Sequence, residues 1–95
     1  MVIERFRNRD AMPIYRRLRE SGRMMPDGLE YIDSWVEPNF DRCFQLMKTE
    51  DLSLLQRWVA VWGDLMEFEI VPVVHSKETR QTIEALIARE AGPGA

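Results

Sequence analysis

Apolar residues recur along this chain with a period near two in some stretches and near 3.6 in others, and the changes of period mark its elements. Val2 to Arg7 is short, β-branched and aromatic. It predicts a first strand that ends at the polar group Asn8-Arg9-Asp10. Asp10 is placed to cap a helix, and Pro13 then falls in the first turn, where its missing N–H is tolerated. Ile14, Tyr15 and Leu18 carry helical spacing towards Gly22, which stops the helix, and Arg16, Arg17 and Arg19 lie largely on its other face. Pro26-Asp27-Gly28 signals a turn. Leu29 to Glu37 and Arg42 to Lys48 predict two strands, joined through a short loop as an antiparallel hairpin. Leu55, Trp58, Val59 and Trp62 stand at i, i+3, i+4 and i+7, one buried face of a second helix capped by Asp51 or Thr49. Phe68 to Val74 predicts a final strand, which Pro72 places at an edge or a bulge. Ser76 is a fitting cap for a last helix over residues 76–91 that carries Ile83, Leu86 and Ile87 along one side. Residues 92–95 read as a frayed tail. The class is α+β. Its order, β-α-β-β-α-β with an additional C-terminal helix, is the ferredoxin-like arrangement.

The strands do not alternate cleanly. Tyr31 and Trp35 oppose Ile32 and Val36, Phe44 and Leu46 oppose Cys43 and Met47, and Phe68 and Ile70 oppose Val71 and Val73. An antiparallel sheet with one wet face needs apolar residues on one parity only, so both faces here call for cover. Two amphipathic helices cover one. Six large side chains left wet on the other would forfeit on the order of 10 kcal/mol, comparable with the whole stability of a small domain. A homodimer packed sheet to sheet is the expected remedy.

Composition narrows the setting. Ninety-five residues, 45% hydrophobic and 31% charged, suit one folded domain over 1–95 and exclude disorder. No apolar run is long enough for a membrane span or a signal peptide. The single cysteine, Cys43, cannot form an intramolecular disulfide, and the cytoplasm is the expected compartment. Net charge is −3, yet residues 1–25 hold seven arginines against three acids, and residues 26–70 hold ten acids against three bases. A chain acidic overall is not expected to bind nucleic acid. The arginines can instead attract a small anion or meet the acidic middle of a second copy.

Tyr31-Ile32-Asp33-Ser34-Trp35 and Arg42-Cys43-Phe44-Gln45-Leu46-Met47, with Trp58, Trp62, Asp64-Leu65, Phe68-Glu69 and Pro72-Val73, form a pattern along the chain to about Ser76. It resembles the small bacterial proteins of the domain of unknown function 3303 family. The resemblance implies a ferredoxin-like domain similar to the dimeric α/β-barrel superfamily, in which two sheets pack face to face. That superfamily holds cofactor-independent monooxygenases, small isomerases, stress-responsive proteins and haem-degrading enzymes. The resemblance transfers no catalytic residue.

Candidate chemistry rests on polar residues inside strands: Glu4, Ser34, Gln45 and Glu69. A carboxylate among apolar neighbours has its charged form disfavoured, which suits a general acid or base. Glu4 and Glu69 are the catalytic candidates, and strand one beside strand four brings them together if their parities agree. Trp35, Gln45 and Trp62 are the ligand-binding candidates, although Trp58 and Trp62 also satisfy core spacing. Cys43 has no base at recognisable spacing and reads as a buried structural thiol. His75 is the only histidine and cannot make a metal site, and no cofactor motif is present. The expected function is binding of a small organic ligand between sheet and helices, near Trp62, an anionic one if the arginines draw it in. The alternatives are a structural or regulatory homodimer without catalysis and a cofactor-independent monooxygenase or isomerase-like enzyme.

Overall fold

The computed structural model describes residues 1–92. Strand β1 (Val2–Phe6) leads through a 3-10 turn (Arg7–Arg9) to helix α1 (Met12–Ser21). Strands β2 (Glu30–Val36) and β3 (Arg42–Lys48) form the hairpin. Helix α2 (Ser53–Trp62), strand β4 (Met66–Ile70) and helix α3 (Ser76–Ala91) complete the chain. The four strands form one antiparallel sheet in the order β2-β3-β1-β4. The fold is α+β.

Local chemistry explains most boundaries. Asp10 accepts the backbone N–H of Met12 at 3.0 Å, satisfying one of the free donors of the first turn of α1. Gly22 ends that helix at a φ of 67°, a conformation most residues avoid. The residue at the cap position of α2 is Leu52, not the expected Asp51 or Thr49, although Asp51 accepts from the backbone N–H of Ser53 at 2.9 Å and from its hydroxyl at 2.7 Å. The last helix departs from expectation: His75, one residue before Ser76, is the cap, its Nδ1 accepting from the N–H of Lys77 at 3.0 Å.

The final strand is also corrected. It runs over Met66–Ile70 and not Phe68–Val74. Met66 pairs with Phe6, so the ladder starts early, and one further exchange joins Met1 and Val71 in both directions at 2.8 Å. Pro72 then offers no donor, and β4 stops there as an edge strand. Of the expected tail, residues 93–95 lie outside the described residues.

Helices α1 and α2 contribute Ile14, Leu55, Trp58 and Trp62 to the core, against Val2 and Phe6 of β1, Cys43 of β3 and Met66 of β4. Both indole N–H groups, of Trp58 at 2.9 Å and Trp62 at 3.0 Å, donate to the backbone carbonyl of Arg23 and fix the α1–β2 connection onto α2. Arg17 grips Asp64 with two hydrogen bonds of 2.8 and 2.6 Å, tying α1 to the end of α2. Among the described residues no helix covers the other sheet face. There Trp35, Phe44, Ile3 and Glu69 form one row across all four strands, and Ile32 and Trp35 are 50% and 54% exposed. No helix among the described residues is long and apolar enough to cross a membrane.

Candidate functional site

Strand parity builds the site. Val2, Glu4 and Phe6 of β1 point under the helices, so Glu4 is carried into the core with its apolar neighbours and is buried. Cys43 is its cross-strand partner and Gln45 lies diagonally beyond, close enough for a long side chain to reach. Gln45, also buried, donates its Nε2 to Glu4 Oε1. Its own carbonyl accepts from Arg23 Nη1 at 3.4 Å, a longer contact. Arg23 in turn stacks on the Tyr31 ring at 3.6 Å, and the Tyr31 and Ser34 hydroxyls share a 2.6 Å hydrogen bond. A guanidinium, an amide and a carboxyl thus stand in line.

This line borders a cavity of about 120 Å³ between the sheet and helices α1 and α2. Phe6, Ile14, Leu18, Trp58, Trp62 and Met66 supply its apolar wall, and Glu4, Arg23, Ser34 and Gln45 its polar end. The half-exposed Tyr15 and the rim residue Val36 stand where it meets solvent. The indole N–H groups are already spent on the Arg23 carbonyl, so the tryptophans offer the cavity ring surface and no donor.

Electrostatics follow from burial. Desolvation raises the Glu4 pKa above its ordinary value, while the Gln45 hydrogen bond and the Arg23 charge pull it back part of the way. Burial pushes the Cys43 thiol up to about 12, with the Glu4 charge adding to the effect, so the sulfur stays a neutral thiol and not a nucleophile. The cavity therefore holds one titratable carboxyl able to give or take a proton, one fixed cation and one orienting amide.

Of the sequence candidates, Glu4, Gln45 and Trp62 meet at this cavity. Trp35 and Glu69 do not. Glu69 is the cross-strand partner of Ile3 and Trp35 that of Phe44, which sets both on the opposite, exposed face. Glu4 and Glu69 cannot form a carboxylate pair, because adjacent residues Ile3 and Glu4 point to opposite sides of the sheet. The arginine cluster is dispersed as well: Arg7 pairs with Glu67 at 3.2 Å, Arg17 with Asp64, Arg5 is exposed, and Arg23 reaches the cavity. The sequence pattern marks Arg23 only as one of the seven arginines of residues 1–25. Its position beyond the helix-stopping Gly22, one turn from the strand that supplies Ser34, was the available signal. Among the described residues no three His, Cys, Asp or Glu side chains gather as a metal site.

The model of the family described as domain of unknown function (DUF3303) matches residues 1–87, and the chain belongs to that family. The match continues through the sequence of α3 as far as Ile87. No curated protein and no solved structure matches the chain.

Proposed function

We propose that this member of the family is a ferredoxin-like, dimeric α/β-barrel-type subunit that binds a small organic ligand in the cavity between sheet and helices. The order β2-β3-β1-β4, with two helices on one face and the other face bare, supports the fold reading. The lone, buried thiol is the support for a cytoplasmic setting. The observation that carries the ligand reading is the Arg23–Gln45–Glu4 line facing an apolar wall. Buried polar groups are costly unless satisfied, and here they converge on space that a ligand can fill.

Size and lining define the ligand class. A dry cavity of about 150 Å³ accommodates benzene, so about 120 Å³ with an open mouth suits one small ring or a short branched chain. Its polar end would carry a carboxylate or carbonyl, met by the Arg23 guanidinium and, when protonated, by the Glu4 hydroxyl. Benzoate is a fitting probe. Titrated with benzoate, the indole N–H resonances of Trp58 and Trp62 should shift, and Arg23→Met should weaken the effect tenfold or more while leaving the backbone carbonyl in place. Unmoved indole resonances at millimolar benzoate, benzamide and toluene would overturn the reading and leave the structural homodimer. The raised pKa of Glu4 favours a second reading, a cofactor-independent isomerase-like enzyme in which this carboxyl moves a proton.

The bare sheet face supports the homodimer reading. Trp35 and Ile32 are apolar and exposed on the edge strand β2, beside a surface that also holds Phe44, Leu46 and Ile3. Trp35→Asp should halve the mass measured by light scattering at about 10 µM, since it sets a charge on that surface. A variant that keeps the dimer mass would place the interface elsewhere.

A further inference from the structure

Helix α3 runs for 16 residues and buries none of them. Ile83, Leu86 and Ile87 share one side and are 49%, 49% and 57% exposed. A helix of this length with an apolar stripe takes most of its stability from packing, and among the described residues nothing buries it. The dimensions agree. The radius of gyration is 18.3 Å, where a compact chain of this length has about 12 Å, and the longest extent is 63 Å. Accessible surface is 7226 Å², against roughly 5,700 Å² for a compact protein of 11.2 kDa. The excess, roughly 1,500 Å², is of the order that one chain buries in a large, permanent interface.

We infer that α3 is an exchanged arm: in the homodimer, each copy lays the Ile83/Leu86/Ile87 stripe over the β2 margin of the other, against Ile32 and Trp35. The inference rests on the homodimer reading above and adds what the sheets alone cannot supply. A four-stranded sheet of this length has a face of roughly 20 by 20 Å, on the order of 400 Å², about half of what a standard interface takes from each partner. The arms make up the difference.

The linker directs the arm outward. Between the last ladder residue, Val71, and the helix lie only Pro72, Val73, Val74 and His75. Proline fixes one φ, the two valines favour extended backbone, and no glycine or asparagine is present to reverse the chain. The two patches also sit at opposite edges of the sheet, β4 and β2. Their outer axes are about 14 Å apart in one copy. A two-fold axis parallel to the strands, set between facing sheets, puts β4 of each copy over β2 of the other, so both arms find a seat at once.

The test uses the full chain. Ile83→Asp combined with Ile87→Asp should convert a dimer to a monomer by light scattering, raising the dissociation constant at least a hundredfold. The indole N–H resonances of the core residues Trp58 and Trp62 should be unchanged, because α3 buries nothing in its own chain, whereas that of Trp35 should move as its seat is lost. A double variant that stays dimeric overturns the arm and leaves the sheet-to-sheet dimer standing. A parent that is monomeric at every concentration overturns both. Leu86→Cys with Trp35→Cys gives a second readout, since the native Cys43 is buried. Mild oxidation should yield a covalent dimer. A covalently closed monomer would show α3 folded onto its own sheet and would overturn the exchange.

Discussion

Replacing Trp58 by alanine should lower the stability of this protein by about 3–5 kcal/mol and the melting temperature by roughly 15–30 °C. The residue is 2% exposed and sits where three lines of support cross. Its ring meets Phe68 of β4 edge-on, with centroids 5.4 Å apart, joining α2 to the edge strand. Its N–H reaches the carbonyl of Arg23, holding the α1–β2 connection. Its remaining surface walls the cavity. A domain of this size holds roughly 5–14 kcal/mol in total, so the loss is a large share. Trp58→Phe separates the contributions. It keeps most of the buried ring and gives up the hydrogen bond, while the Arg23 carbonyl retains its bond from Trp62. The cost should then be about 1 kcal/mol. Urea denaturation of the two variants gives both numbers. Equal losses would mean that the hydrogen bond, not the packing, holds this corner.

The contrast between β3 and β4 shows what the sequence carried and what it did not. Arg42–Lys48 is legible to the residue because Pro38 and the following polar loop bound it on one side and Thr49-Glu50-Asp51 on the other. On β4 two signals competed. Met66, Phe68 and Ile70 alternate with Glu67 and Glu69, the mark of a strand with one wet face, whereas the β-branched residues Val71, Val73 and Val74 suggest a strand further on. Alternation was the better guide, because pairing with β1 rewards it and Pro72 cannot continue the ladder. The misplaced strand also hid the parity of Glu69. With β4 at its true limits, both acids of that strand fall on the side opposite its apolar residues, while Glu4 shares the side of Val2 and Phe6. The separation of Glu4 from Glu69 was thus latent in the two strands. The approach of Arg23 to Gln45 was not, since it depends on how a connection folds back over α2. The additional helix was legible as a helix, but its lack of any seat in its own chain is a property of the three-dimensional packing alone.

Removing the amide beside Glu4 should make the stability of this protein depend more steeply on pH. Burial raises the Glu4 pKa in the folded chain above its unfolded value, so stability from this group is fully present below the unfolded value and is lost as pH rises through the folded one. Gln45 softens that loss by donating to the carboxylate. Gln45→Met keeps a similar volume and removes the donor, which leaves an ionised, buried carboxylate with Arg23 as its remaining aid. The cost should grow from about 1 kcal/mol at acid pH, where the protonated carboxyl loses one neutral contact, to about 2–3 kcal/mol once the pH has risen through the raised folded value and the carboxylate is ionised. Other groups act with the opposite sign. The Ser53 contacts lower the Asp51 pKa, and the Arg17 and Arg42 hydrogen bonds lower those of Asp64 and Glu37, so their contribution is present above the unfolded value and fades as pH falls. They are the same in parent and variant and cancel in the difference. Denaturation at several pH values, parent against Gln45→Met, isolates Glu4. A difference that stays level across that range would show that Glu4 does not titrate in contact with Gln45, and the cavity would lose its proton donor. Adding Glu4→Gln to the variant supplies the check: with no carboxyl left to ionise, the pH dependence of the difference should disappear.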